Sequence, residues 1–241
     1  MFSFFKKKPD IEFVDTLRNS YQTVPIMRAK DVKPTTFSVQ KKKYEKHLFP
    51  HCPGMIDYAE LGYIVPAWVD IHILANKAGV TCFIGSGKRG DGGHARPREM
   101  DARFIDGAFK TEDGITPTVL HIGSPWSVFC RKNITAMILP AFYHSTFLDD
   151  LHIIPGTVDY QKFAQMNLIC MPKRACKIHI KVGEPLLHII PFENKTISAG
   201  YGPGTQEQLD AYKNEIPGTT EKQYYRKNMA TKKEYGLNQE A

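Results

Sequence analysis

Three strand-length segments follow one another between residues 155 and 192. Residues 163–171 form an apolar run, residues 177–182 alternate apolar and polar side chains, and residues 186–192 form a second apolar run. Alternation with a period of two is typical of a half-buried strand. Gly183, Glu184 and Pro185 mark a turn before the last segment. The pattern predicts a β-meander of three consecutive strands.

Other short strand-like segments precede this region, separated by Gly, Pro, Asp or Asn. They are residues 63–66, 68–73, 80–84, 119–122, 127–130 and 134–139. Many short strands at such spacing are typical of a β-sandwich or barrel. A short helix is expected at residues 55–61, ended by Gly62, and a hairpin turn at residues 76–79. We therefore predict a mainly β, jelly-roll-like barrel.

Composition divides the chain into three parts. We predict an N-terminal arm at residues 1–46, a β-barrel domain at residues 47–195 and a partly helical C-terminal tail at residues 196–241. Because aromatic side chains often anchor interfaces, the aromatic residues of the two ends are interface candidates. They are Phe2, Phe4, Phe5, Tyr224, Tyr225 and Tyr235.

The charge balance is moderately basic. Lys and Arg number 32 against 25 Asp and Glu, which gives a formal net charge of +7 over 241 residues. This excess permits nucleic-acid binding but does not signal it, because the positive charges are dispersed. No apolar run reaches the roughly 18 residues that a membrane-spanning helix needs, so no membrane span is predicted.

The cysteines are scattered and odd in number. The five are Cys52, Cys82, Cys130, Cys170 and Cys176, and no pair has the C-x-x-C spacing. This pattern predicts neither a zinc ribbon nor a disulfide framework, and it indicates buried free thiols in a reducing compartment.

A glycine-rich loop is the candidate phosphate-binding segment. Five glycines lie between residues 85 and 93, and the candidate residues are Gly85, Gly87, Lys88 and Arg89. A nucleotide P-loop needs Gly-Lys-Ser/Thr before a helix, whereas Arg89 follows Lys88 here. The sequence favours a basic loop that meets phosphate non-specifically.

The histidines offer a weak metal-site hypothesis. His72 and His179 alternate with isoleucines, so each is expected on the strand face opposite those isoleucines. A three-ligand site assembled from distant strands would use His72, His94 and His121. With no paired metal motif in the sequence, we predict no cofactor.

A nucleophilic active site is not indicated. The chain has no Gly-x-Ser-x-Gly motif, and no cysteine has the charged surroundings of a reactive thiol. Ser124, Pro125, Trp126 and Ser127 are predicted to turn the chain and to place the Trp126 indole in the core.

The order of several short motifs resembles a family of unknown function in marine bacteriophages, cyanophages especially, and in some bacteria. The motifs are Cys52-Pro53, Gly62-Tyr63-Ile64-Val65-Pro66, Trp68-Val69-Asp70, Ser124-Pro125-Trp126, Gly156-Thr157-Val158-Asp159, Gly183-Glu184-Pro185 and Pro191-Phe192. Ser124 stands where Asn is usual in that family. The resemblance implies a viral origin and a location in the virion or the host cytoplasm.

A second, partial resemblance is to the trimeric dUTP pyrophosphatases, which have the β-clip fold. It rests on Gly156-Thr157-Val158-Asp159 and Gly183-Glu184-Pro185-Leu186. By this resemblance Asp159 would stand at the position of the water-activating base. Lys162 occupies the position of the uracil-stacking Tyr, and the Arg-Ser-Ser motif is absent. The resemblance therefore implies the β-clip fold more than the reaction.

These observations favour a non-catalytic phage protein, a virion-associated structural or assembly protein such as a head-decoration protein. The alternatives are a nucleotide-metabolism enzyme of dUTPase-like fold and a metal-dependent cupin-like enzyme. Residues 186–190 are apolar on both strand faces apart from His188, and both faces of such a strand need cover. We expect that cover from the arm, the tail or a neighbouring subunit. The sequence thus predicts a homo-oligomer, a trimer by analogy with the β-clip proteins, with other virion proteins as further partners.

Overall fold

The computed structural model describes residues 9–16, 24–34, 53–85, 98–100, 109, 111–112, 115, 117–198, 202–207 and 209–210. Over these residues the protein is mainly β, as predicted. In chain order the elements are β1 (Ile11–Asp15), β2 (Met27–Arg28), α1 (Pro53–Glu60), β3 (Tyr63–Pro66), β4 (Ile71–Asn76), β5 (Gly79–Ile84), β6 (Arg98–Met100), β7 (Val119–Cys130), β8 (Ile134–Pro140), β9 (Leu151–Ile153), β10 (Gly156–Val158), β11 (Gln165–Pro172), β12 (Cys176–Ile180) and β13 (Pro185–Glu193).

The strands form three antiparallel sheets. The first sheet has the order β1-β7-β11-β9, with β6 also paired to β7, and the second has the order β10-β8-β13-β3-β2. The third sheet is β12-β4-β5. β1 and β2 come from the predicted N-terminal arm and pair with the first and second sheets.

One apolar core lies between the three sheets. Trp126 from the first sheet, Ile189 from the second and Ile73 from the third all belong to it. The described strands do not close into a barrel, so the predicted jelly-roll-like or β-clip barrel is confirmed only as a mainly β fold. The third sheet stays separate because the paired strands β3 and β13 turn a corner before they continue as the paired strands β4 and β12.

That corner is a pair of short connections held together by backbone hydrogen bonds. The Ala67 N–H donates to the Glu184 carbonyl, and the Gly183 N–H donates to the Ala67 carbonyl, each at 2.8 Å. Pro66 and Pro185 face each other where the second sheet ends. Since proline cannot donate a backbone hydrogen bond, the ladder is interrupted there and the ribbon changes sheet.

The predicted β-meander is wrong, although its three strands are present. β11, β12 and β13 are consecutive in sequence, yet each belongs to a different sheet. β11 pairs with β7 and β9, β12 pairs with β4, and β13 inserts between β8 and β3. The partners are distant in sequence, so local periodicity identified the strands but not their neighbours.

The predicted turn at Ser124 is also wrong, because β7 runs straight through it. Ser124 Oγ accepts the Trp126 N–H at 3.1 Å, which satisfies the backbone where Pro125 interrupts the ladder. The register of β11 against β7 shifts across this point. Trp126 is buried in the core, as predicted.

Other local predictions are confirmed. Residues 76–79 form the β4–β5 hairpin turn, where Asn76 Oδ1 accepts the Ala78 N–H at 2.8 Å. α1 is followed by Gly62, whose φ of 76° is a left-handed conformation. Residues 206–207 and 209–210 of the tail are helical. No helix among the described residues has the length and apolarity to cross a membrane.

Candidate functional site

Three potential metal ligands meet on the outer face of the third sheet. Asp70 immediately precedes β4, and His72 lies two residues further on, so the strand period places both on one face. His179 on β12 is the direct antiparallel partner of His72. As predicted, these histidines face away from the core, into which Ile71, Ile73 and Ile180 point. We call Asp70, His72 and His179 the histidine–aspartate cluster.

The cluster has a defined geometry. The two imidazole rings are stacked, with centroids 4.1 Å apart and an interplanar angle of 17°. Asp70 Oδ1 lies 4.0 Å from His179 Nε2 and accepts the Val182 N–H at 2.8 Å. One ligand atom from each residue can be chosen so that all three lie within 4.8 Å of one another. Among the described residues this is the one group of three His, Cys, Asp or Glu with metal-site spacing.

A second pair of histidines is buried beneath α1. His188 lies on the outer face of β13, and its Nε2–H donates to the Leu61 carbonyl. Tyr58 of α1 packs edge-on against His188 at 4.9 Å and against Tyr143 at 5.8 Å between ring centroids. His144 is also buried, in the segment that follows β8.

Burial keeps these two histidines neutral. It lowers the pKa of His144 to about 4, with a smaller contribution from the nearby His188. Burial also lowers the pKa of His188, while the hydrogen bond to Leu61 acts in the opposite direction. The same burial raises the pKa of Tyr58 to about 12. A neutral, enclosed cluster of this kind packs α1 against the second sheet.

The outer face of the first sheet carries an apolar surface that the described residues leave open. Val14 on β1 pairs with Ser127, and Phe129 lies one strand period further along β7. Phe163 precedes Ala164, whose carbonyl accepts the Val128 N–H at 2.7 Å. Val14, Phe129 and Phe163 are 38%, 49% and 52% exposed. We call these three residues the open face.

Among the described residues, the contacts of Asp159 are those of a turn. It is half-buried in the turn before β11, where Oδ1 accepts the Gln161 N–H at 3.1 Å and Oδ2 lies 3.1 Å from Lys162 Nζ. The hydrogen bonds from Lys162 and Gln161 hold the pKa of this carboxyl below its usual value. A side chain that accepts the N–H two residues ahead and pairs with a lysine three residues ahead stabilises the turn.

The predicted metal triad of His72, His94 and His121 stays a prediction, and the structure brings a different set together around His72. His72 meets Asp70 and His179, whereas His121 lies on β7 of the first sheet, outside this group. His94 lies outside the described residues. The loop candidates Gly87, Lys88 and Arg89, together with Phe2, Phe4, Phe5, Tyr224, Tyr225 and Tyr235, also lie outside them. Gly85 is described, and its φ of 74° marks the end of β5.

Sequence reasoning missed Asp70 and His179 as ligands. The Asp70-x-His72 spacing was visible in the sequence, because residues two positions apart in an extended strand point to the same face. His179 is 107 positions after His72 (179 − 72) and could be assigned to the same site only from the β4–β12 register.

Comparison of the chain with protein-family models, curated proteins and solved structures finds no match.

Proposed function

We propose that this chain is a non-catalytic, virion-associated structural or assembly protein that acts as a homo-oligomer. The observation that carries the proposal is the open face, where the register of β1 and β7 and the Val128–Ala164 hydrogen bond place three partly exposed apolar residues at neighbouring backbone positions. Single exposed apolar residues are common on proteins, but a contiguous group marks an interaction surface.

Burial of this surface would favour association. Fully burying an exposed Phe side chain contributes on the order of 1.5 to 3 kcal/mol, so covering the exposed half of Phe129 and of Phe163 contributes roughly 1 kcal/mol each at the centre of an interface. The rim is charged, as Asp10 forms an ion pair with Arg131 at 3.1 Å and Glu12 is exposed beside Phe129. An apolar centre with a polar rim is the usual anatomy of a protein interface.

The predicted interface residues Phe2, Phe4 and Phe5 would add apolar area to the interface proposed at the open face. In sequence they stand just before Ile11 of β1, and Ile11 pairs with Cys130 next to Phe129. A stable interface buries about 800 Å² on each partner, which is more than three side chains provide. The phenylalanines of the N-terminal segment are the sequence-adjacent source of further apolar area, and a second copy of this chain is the proposed partner.

The proposed role in a virion draws on the bacteriophage-like motifs and on the mainly β architecture. We propose that the three sheets are a variant of the jelly-roll or β-clip type, with a trimer as the assembled form. The contacts of Asp159 with Lys162 and Gln161 favour this role over the nucleotide-hydrolase alternative.

Particle composition tests the virion assignment. Quantitative mass spectrometry of purified phage particles should find the chain at a fixed copy number per particle. Its presence in infected-cell cytosol but absence from particles would contradict the proposal. Incubation of the purified chain with each deoxynucleoside triphosphate and Mg²⁺ tests the alternative, and release of pyrophosphate would favour the enzyme.

A further inference from the structure

We propose that Asp70, His72 and His179 bind a divalent transition-metal ion, Zn²⁺ in the first instance, on the outer face of the third sheet. This inference stands on the histidine–aspartate cluster alone and does not depend on the proposed assembly role. Two imidazoles and one carboxylate are a common ligand set for such ions, leaving at least one coordination position open.

The distances suit an ion after a small rotation of the side chains. Zn–N and Zn–O bonds are about 2.0 to 2.2 Å long, so tetrahedral ligand atoms lie roughly 3.3 Å apart. In the cluster the ligand atoms lie within 4.8 Å of one another, and the two imidazole rings are stacked face to face. His72 is half-buried and His179 is exposed, so both rings can turn towards a shared ion without disturbing the core.

The backbone holds the three ligands in place. β4 and β12 pair over five consecutive positions, which fixes His72 opposite His179. Asp70 is held by the Val182 N–H, a backbone donor of the type that often orients metal-binding carboxylates. Only side-chain freedom is lost on binding, which keeps the entropic cost small.

The charges around the cluster favour a transition metal over Ca²⁺ or Mg²⁺. Lys177 and Lys181 lie two residues to either side of His179 and are both exposed. With a single carboxylate and two nearby cations, the site lacks the oxygen ligands that Ca²⁺ and Mg²⁺ require. Imidazole nitrogens bind Zn²⁺, Co²⁺, Ni²⁺ and Cu²⁺ well, so the affinity of the cluster for these ions depends less on the number of carboxylates around it.

The described cysteines compete poorly for the ion. Burial raises the pKa of Cys82 to about 12 and that of Cys130 to about 11, and it also raises the pKa of Cys170. The thiolate is the metal-binding form, so these buried thiols remain protonated near neutral pH.

Calorimetric titration of the full-length, untagged chain with ZnCl₂ tests the proposal. We expect one saturable site per chain in the cluster. His179→Asn and His72→Asn should each weaken that site by at least about 100-fold, because each removes a direct ligand. His121→Asn is the matched control, since it removes a strand histidine outside the cluster and should leave the affinity unchanged.

Co²⁺ absorption gives an independent readout. The wild-type chain should develop visible d–d bands on titration with CoCl₂, and Asp70→Asn should shift them by replacing the carboxylate. Circular dichroism and thermal unfolding establish that each variant is folded. The proposal is overturned if the wild-type chain binds no Zn²⁺, if folded His72→Asn and His179→Asn bind like wild type, or if His121→Asn loses as much affinity as they do.

Discussion

The outer faces of the first and second sheets differ in what covers them. On the second sheet, α1 lies over β13 at His188 and Tyr58 packs against that ring, so the chain covers this part of the sheet, while Met137 and Phe192 further along are 37% exposed. On the first sheet, Phe129 and Phe163 remain about half exposed within the described residues. We call the covered region of the second sheet around His188 the capped face.

This difference corrects part of the oligomerisation argument. Cover for residues 186–190 was expected from the arm, the tail or a neighbouring subunit, and the structure shows that α1 supplies it around His188. The three most clearly grouped exposed apolar side chains, Val14, Phe129 and Phe163, belong to the first sheet or the segment next to it, and we propose that a neighbour covers them. The capped face should therefore matter for stability, and the open face for association.

The largest effect is expected from His188→Ala on the capped face. The substitution leaves a cavity beneath α1 and removes the hydrogen bond to the Leu61 carbonyl, which should lower the free energy of unfolding by about 3 kcal/mol. Urea denaturation measures it. Phe129→Ala on the open face is the control and should cost no more than about 1 kcal/mol when measured on the monomer, because only half of that side chain is buried. Equal losses for the two variants would erase the distinction between the faces.

Gly62→Ala tests how α1 is joined to the capped face. Gly62 has a φ of 76°, and an added Cβ would overlap the carbonyl oxygen of Ile189 on β13. The free energy of unfolding should fall by roughly 2 to 3 kcal/mol. Gly183→Ala is matched in backbone strain, with a φ of 89°, but an added Cβ meets nothing within 4 Å.

The Gly183 variant should lose only about 1 kcal/mol, the cost of the left-handed conformation alone. The difference between the two variants measures the close packing of Gly62 on β13. If both lose the same amount in thermal or urea unfolding, that close approach contributes nothing.

A pH dependence should also arise from the capped face. The pKa of His144 is lowered from 6.5 to about 4, so between those values the unfolded chain binds more protons than the folded one. Stability is therefore complete above pH 6.5 and falls as the pH drops towards 4, by up to about 1.4 kcal/mol per unit for this histidine. His188 acts in the same direction, and Tyr58 stays neutral throughout because its pKa is raised to about 12.

Urea unfolding at intervals between pH 7 and pH 4 measures this slope. His144→Gln should flatten it, because the variant keeps a polar side chain but cannot titrate. A slope that is the same in wild type and His144→Gln would show that His144 does not contribute.

Local structure could be predicted from the sequence wherever the signal was itself local. Alternating residues identified β12, and the Asn76-to-Gly79 turn and Gly62 followed from glycine and turn chemistry. The assignment of β11, β12 and β13 to three sheets depends on the corner at Ala67 and Gly183, where two distant segments hydrogen-bond. No periodicity encodes such a contact.

For the candidate site, too, the sequence predicted local features but not long-range neighbours. The alternation of His179 with isoleucines gave its strand face correctly. The sequence could not show that His121 lies on β7 of the first sheet while His72 lies on β4 of the third, because that needs the sheet assignment of both strands. The open face was equally hidden, since β1, β7 and the residues before β11 come together only through long-range pairing.

The molar mass in solution tests the central claim most directly. Light scattering at micromolar concentration should give a mass of at least two chains for wild type, each chain having a mass of 27.4 kDa. The double variant Phe129→Lys/Phe163→Lys and a chain lacking residues 1–9 should shift towards a single chain. Phe142→Lys, which changes an equally exposed phenylalanine after β8, should leave the mass unchanged. A wild-type mass of one chain, or an oligomer that persists unchanged in the double variant, would contradict the proposal that the open face is where copies of this protein meet.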